Sequence, residues 1–254
     1  DSLYAFNHAE LVARFVGKDT IRASSQELRA RIRVNVDSLR RIRPMRLDSI
    51  RNGADDDGSG SMAVLEIAEA VAAMQVKPKR SIIFMWHTGQ EAGLRGAAYF
   101  VQNPTVPGDS IVANINMDMV GRGRAEDLPG GGPGYVSVIG ANRLSTDIGS
   151  AVERINKAQP SPLKLDYRFD EDVRATLGSS YNNIYGRSDH ARYAEVNIPI
   201  VFFFTGLHAD YHQVTDEPQY INYPNYTAIT RYVNDLLLDI ANAAKRPALN
   251  VPRT

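Results

Sequence analysis

The run IPIVFFFTG, residues 198–206, is apolar at nearly every position and on both parities of a strand. A strand with one wet face alternates apolar and polar residues, so a run apolar on both faces must be covered on both. It is too short to cross a membrane as a helix. RSIIFMWHT (80–88) has the same character, and SIVANINMDMV (110–120) and YVSVIG (135–140) also read as strands. Between and around them lie segments with helical spacing: SGSMAVLEIAEAVAAMQ (59–75), AGLRGAAYFVQ (92–102), LSTDIGSAVERINKAQ (144–159) and NYTAITRYVNDLLLDIANAAK (225–245). Ser59 and Ser61 are the candidate caps of the first helix. Helices alternating with buried strands predict an α/β sandwich with a largely parallel central sheet. The glycine-rich LPGGGPGY (128–135) is a loop and a poor dinucleotide fingerprint, because a strand follows it instead of a helix.

At 254 residues the chain has room for one large domain or two small ones, and its 43% of hydrophobic residues supplies a core. Lys+Arg and Asp+Glu balance at 29 each, which argues against an electrostatic nucleic-acid or membrane-surface binder. No apolar run reaches the length of a membrane span. Without cysteine there is no disulfide and no thiolate metal site, so any transition-metal site must use histidine and carboxylates. Residues 1–43 differ from the rest. HAELVARFVG has helical spacing, ARIRVNVDSL alternates like a strand, and SLRRIRPMR is arginine-rich. The expected division is therefore an N-terminal segment, 1–43, and a main domain, 44–254. The chain begins at Asp1 with no signal-like segment and reads as a mature or trimmed product.

In open α/β sheets ligands bind beyond the carboxyl ends of the strands. Three carboxylates, Asp55, Asp56 and Asp57, precede the first helix in NGADDDGSGS (52–61). Gln90 and Glu91 follow the strand 80–88, and Asp118 lies near the end of the strand 110–120. His208, Asp210, Tyr211, His212 and Asp216 follow the strand 198–206. Taken singly, each has an ordinary structural reading: a turn, a helix start, a hydrogen-bonded scaffold histidine such as His190 or His208. Together, carboxylates and imidazoles converging from four segments suit zinc in a hydrolytic site.

The segments NGADDDGSGSMAVLEIAEA, QEAGLRGA, NINMDMVGR and SDHARYAEVNIPIVFFFTGLHADYHQVTDEP, in this order, resemble the co-catalytic zinc aminopeptidases. That superfamily also holds glutamate carboxypeptidases, glutaminyl cyclases and inactive receptor ectodomains. The resemblance covers about residues 48–248. It implies a three-layer sandwich whose central sheet is mixed, mostly parallel and flanked by helices. It also implies hydrolysis of the N-terminal residue of peptide or small aminoacyl substrates, two zinc ions, and export to the periplasm or exterior. Asp56 matches the carboxylate that bridges the two ions. Glu91 and His212 match ligands of one ion, and Asp118 a ligand of the other. Tyr211 matches a hydrogen-bond donor to the tetrahedral intermediate. Asp55 and Asp57, with Asp189 and Asp216, fall to supporting positions that orient ligands.

Two departures from the family pattern stand out. Gln90 occupies the position of the glutamate that takes the proton of the attacking water and passes it to the leaving amine. An amide cannot do this near neutral pH, so activity should be absent or strongly impaired. An experimenter trapping a substrate complex would choose this exchange, and a natural inactive relative would carry it. The second departure is the absence of the His-x-Asp that supplies a ligand ahead of the bridging aspartate. A segment near Arg43–Pro44 is expected to be lacking, with His8 as the alternative ligand. One metal position is thus complete, through Asp56, Glu91 and His212, and the other is short of a ligand. A single zinc held by Asp, Glu and His also keeps a glutaminyl cyclase as the alternative enzyme, and a non-catalytic binding module as the alternative outside catalysis.

Overall fold

The computed structural model describes Arg41, Ile50 and residues 52–169 and 184–250. The expectations for residues 1–40, including the helical and strand-like N-terminal stretches and His8, lie outside the described residues, as does the Arg43–Pro44 junction.

Among the described residues four strands form one sheet: β1 (Asn114–Met117), β2 (Tyr135–Ile139), β3 (Lys164–Asp166) and β4 (Ile200–Phe204), in the spatial order β1-β4-β2-β3. β1 runs parallel to β4 and β2 parallel to β3, while β2 and β4 are antiparallel. The sheet is mixed and mostly parallel, as expected. β4 lies inside the sheet, and its five residues are all buried. Val201 and Phe203 turn to one layer and Ile200, Phe202 and Phe204 to the other, the two-residue period of a strand. That is why its sequence does not alternate.

Among the described residues five helices flank the sheet: α1 (Gly60–Ala73), α2 (Arg95–Gln102), α3 (Thr146–Ala158), α4 (His190–Glu195) and α5 (Tyr223–Asn242). α1, α3 and α5 cover one face. Ile67, Val152, Ile229, Tyr232 and Leu236 join Val136, Val138, Val201 and Phe203 in the main core. In α5 the apolar positions 229, 232, 233, 236 and 240 fall on one stripe, and Pro224 sits at the first turn, where its missing N–H costs nothing. α2 and α4 cover the other face through Phe100 and Tyr193.

Two local expectations are corrected. Residues 80–88 are not a strand of the sheet. Ile82 and Phe84 pack toward the main core and Met85 toward the opposite layer, as in a strand. No backbone group of residues 81–87 bonds another backbone group among the described residues, however. Ile83 and Trp86 are 47% and 49% exposed, too open for an interior strand. The apolar run is that of a buried strand, but a slot separates it from β1, and it pairs with no strand among the described residues. The second correction concerns Ser59, which does not cap α1 with its side chain. Asp57 Oδ1 accepts the Gly60 N–H at 3.0 Å instead, and the Ser59 hydroxyl is turned to Asp55. Two short elements carried no clear periodic signal: β3, at the sheet edge, and α4, whose six residues are too few.

Candidate metal centre

The segment Ala54–Ser59 enters α1 as a wide turn in which Asp56 and Asp57 leave helical geometry. This points the three aspartates in different directions. Asp55 is sealed in the interior, with Oδ1 accepting from Ser59 Oγ (2.8 Å) and the Gly121 N–H (2.7 Å), and Oδ2 3.0 Å from His208 Nε2. Asp57 accepts from the Gly60 and Met119 N–H groups, tying the turn to the end of β1. Asp216 Oδ2 accepts the N–H groups of both Asp55 and Asp56 at 2.9 Å. Close packing here demands glycine. A Cβ on Gly121 would lie 2.8 Å from Asp55 Oδ1, and one on Gly60 would meet the Met117 carbonyl. With Asp55 and Asp57 held by the scaffold, Asp56 is left facing outward.

Asp56 meets Glu91 and His212 there. His212 Nε2 lies 3.0 Å from Asp56 Oδ2 and 2.6 Å from Glu91 Oε1. One ligand atom from each of the three falls within 4.8 Å of the other two, a cluster able to hold a metal ion. The donors are two carboxylate oxygens and an imidazole nitrogen, a set that suits zinc. His212 has a left-handed backbone, φ +59°, and so does Met119, φ +54°, directly after Asp118. Such residues cost of order 1–3 kcal/mol and persist where the surroundings over-determine them.

Asp118 lies just past β1 outside this trio, with Oδ2 accepting the Ser188 hydroxyl at 2.6 Å. Its charge still reaches the site. The Asp56 carboxyl is pushed up to about 7, first by burial and then by Asp118 and Glu91, with His212 opposing. Asp118 is pushed up to about 6 by burial, against its bond from Ser188. Burial also raises Asp57 well above the usual carboxylate range. Crowded carboxylates with raised pKa values favour a bound cation, which removes the repulsion that raises them.

Gln90 sits at the rim, its Nε2 donating to the Arg187 carbonyl at 2.9 Å. A glutamate there would be an acceptor facing an acceptor. Tyr211 stacks on the His212 ring, 3.8 Å between centroids, and its hydroxyl oxygen accepts from Arg187 Nη2 at 2.9 Å. With the oxygen held by arginine, the phenolic hydrogen remains available to a ligand. Burial pushes the Tyr211 hydroxyl up to about 12, so it stays protonated.

Of the supporting aspartates, Asp216 holds the Asp55–Asp56 backbone, while Asp189 Oδ1 is buried without a hydrogen-bond partner among the described residues. His208 and His190 are scaffold. His190 Nε2 lies 2.7 Å from the Tyr185 carbonyl and the ring stacks on Phe202. Sequence reasoning missed Arg187, Ser188 and Arg122. The last pairs with Asp210 (2.7 Å) and Asp127 (3.2 Å) in the interior, below the loop that carries Tyr211 and His212. Ser188 opens the quoted SDH and Arg187 directly precedes it, the one signal that pointed at them.

The profile of peptidase family M28 matches residues 36–237. Over 176 residues the chain is 32% identical to leupeptin-inactivating enzyme 1 of Streptomyces exfoliatus, covering 68% of this chain and 34% of that enzyme. Its fold is similar to that of a zinc aminopeptidase from Bacillus subtilis, with TM-score 0.57, 20% identity, and 78% of this chain and 45% of that one covered. It is also similar to that of the glutaminyl cyclase of Porphyromonas gingivalis, with TM-score 0.51, 20% identity, and 73% and 62% covered. The chain thus spans about a third of the length of the Streptomyces relative and under half of the Bacillus one. With more than half of its residues under one family profile, the chain belongs to peptidase family M28.

Proposed function

We propose that this chain is a zinc-dependent aminopeptidase scaffold for peptide or small aminoacyl substrates, its turnover suppressed by Gln90. The observation that carries the reading is the convergence of Asp56, Glu91 and His212 from three separate segments onto one point. These three would hold a zinc ion, and Asp118 would contribute to a second. When bound, zinc supplies Lewis acidity to the scissile carbonyl and to the attacking water. Tyr211 donates a hydrogen bond to the oxygen that gains charge, with its own oxygen fixed by Arg187. Gln90 stands where a proton acceptor is needed and has no basic lone pair, so the leaving amine stays unprotonated. Export rests on the family resemblance alone. No helix among the described residues is long and apolar enough to cross a membrane.

The test is Gln90→Glu in zinc-loaded full-length chain, assayed by release of a chromogenic amine from an aminoacyl anilide between pH 6 and 9. A rise in kcat of at least ~10²-fold with little change in KM is expected. Equal kcat values would sink the reading. The Asp-Glu-His trio and the cyclase-like fold favour a second reading, a glutaminyl cyclase. Cyclisation of an N-terminal glutamine without hydrolysis of the anilide would establish it.

A further inference from the structure

Two loops approach the Asp56, Glu91 and His212 cluster from the sheet, and one guanidinium joins them. The first, 118–127, leaves β1, and the second, 205–216, leaves β4 and carries Tyr211 and His212. Arg122 lies between them with 4% of its surface exposed. Its Nε donates to Asp127 Oδ1 at 3.2 Å and its Nη2 to Asp210 Oδ2 at 2.7 Å. Asp127 and Asp210 are 6% and 0% exposed, so both pairs are closed off from water. Each carboxylate turns its other oxygen to its own loop. Asp127 Oδ2 accepts the Arg124 N–H at 2.9 Å, and Asp210 Oδ1 accepts the Thr215 hydroxyl at 2.7 Å. Arg122 therefore clasps two closed turns at once.

The guanidinium projects from a fixed base. The N–H of Asp118 goes to the Phe203 carbonyl, and those of Met119, Val120 and Gly121 go to Asp57 Oδ1, Ser59 Oγ and Asp55 Oδ1. The N–H of Arg122 itself goes to Thr205 Oγ1, and its carbonyl accepts from Asn225 Nδ2 on α5. The backbone of Arg122 is thus continuous with Asp118 and tied to the turn that presents Asp56. At the far end of the clasp, His212 keeps a left-handed backbone, φ +59°. A residue with a Cβ holds that conformation only where its surroundings impose it. Asp210, two residues earlier, imposes it here. Its carbonyl accepts the Gln213 N–H at 2.8 Å, its N–H reaches His208 Nδ1 at 3.3 Å, and both carboxylate oxygens are bound. A buried carboxylate deprived of its cation takes up a proton or turns to water, and either would release the turn.

We propose that Arg122 is a positioning residue of the metal centre. Through Asp210 it holds the turn 210–213, so that the His212 imidazole and the Tyr211 hydroxyl keep their places relative to Asp56 and Asp118. It bonds none of the three ligand side chains itself. Arginine suits the task because two nitrogens of one rigid plane serve the two loops, whereas lysine offers a single nitrogen on a flexible stem. The inference rests on the reading of Asp56, Glu91 and His212 as a zinc site.

Zinc titration of the full chain against a chromogenic chelator tests it, with folding of each variant checked by circular dichroism. Arg122→Gln and Asp210→Ala are each expected to raise the zinc Kd at least ~10-fold, the scale for losing a residue that orients a ligand. The double variant should lose no more than either alone, because the two side chains form one link. Arg122→Lys should not restore the affinity. Asp127→Ala breaks the other half of the same buried pair but frees a turn that carries no ligand, so its Kd should stay within ~2-fold of native, as for an uncoupled site. Cobalt in place of zinc gives a second readout. Its visible band reports ligand geometry and should shift in Arg122→Gln and Asp210→Ala and hold in Asp127→Ala. A native Kd and band in Arg122→Gln overturn the proposal and leave the zinc reading standing. An equal loss in Asp127→Ala also overturns it, by making Arg122 a stabiliser of the fold alone. Absence of zinc binding in the unsubstituted chain overturns the zinc reading and this proposal with it. Should the alanine variants fail to fold, Asp210→Asn and Asp127→Asn, which keep the side-chain shape, are compared in the same way, and equal Kd values in those two reject the link.

Discussion

His208 Nε2 lies 3.0 Å from Asp55 Oδ2, with both side chains closed off from solvent. The contact joins the loop after β4 to the turn that presents Asp56. Removing the imidazole leaves a buried carboxylate oxygen without that partner, which costs about 1–3 kcal/mol. His208→Ala should lower the unfolding free energy measured by denaturant titration by that amount and weaken zinc binding, though His208 touches no ligand position. A variant within about 0.5 kcal/mol of the native chain, the range of inert surface changes, would refute the role.

Zinc binding should depend on pH through Asp56. Burial, with the charges of Asp118 and Glu91, holds its carboxyl up at about 7. A ligand carboxylate must lose its proton to bind metal. The apparent Kd for zinc is therefore expected to rise about tenfold per unit as pH falls from 7 to 5.5, and His212→Ala should bind less than about half an equivalent. Competition against a chromogenic chelator measures both. A flat affinity over that range, or full zinc content in His212→Ala, would contradict the trio as the binding site.

Tyr211 is expected to act in the charged state of the reaction and little in binding. In a Gln90→Glu background, Tyr211→Phe should reduce kcat by about 10²–10³-fold, the scale for losing one oxyanion donor. KM should change much less. Loss in KM alone would make Tyr211 a substrate-packing residue.

His190 should weaken the fold in acid. Burial takes its pKa from 6.5 down to about 3, so between those values the unfolded chain binds the extra proton. Stability due to the neutral ring is complete above pH 6.5 and falls as pH drops toward 3, by about 1.4 kcal/mol per unit. His190→Gln keeps a donor for the Tyr185 carbonyl without the titration, so its acid limb should be flatter. The raised carboxyls of Asp56, Asp118 and Asp189 act in the opposite sense in metal-free protein, and they cancel in the difference between the two chains. Parallel curves between pH 6.5 and 4.5 would reject the assignment.

The apolar run of β4 and the stripe of α5 were legible because their burial pattern is written at one- and four-residue range. So was the sandwich. Asp56, Glu91 and His212 were legible as candidates because each follows a strand-like apolar run or precedes a helix in a recognisable string. That their ligand atoms meet within 4.8 Å was decided by tertiary structure, since the three come from segments far apart in the chain. Ser59 illustrates the limit at short range. Its string suggests a helix cap, but Asp55, itself bonded to Gly121 66 residues on and to His208 153 residues on, draws its hydroxyl inward. Residues 80–88 illustrate it at long range. Their composition is that of an interior strand, but pairing is a property of two backbones, and hydrophobicity along one of them does not say whether the other is in place. The sequence by itself determined which segments bury apolar surface and which residue types stand at their ends. Which of those ends meet, which aspartate of three is left facing out, and where the sheet has an open edge were decided only by packing, because each depends on contacts between residues the chain keeps far apart.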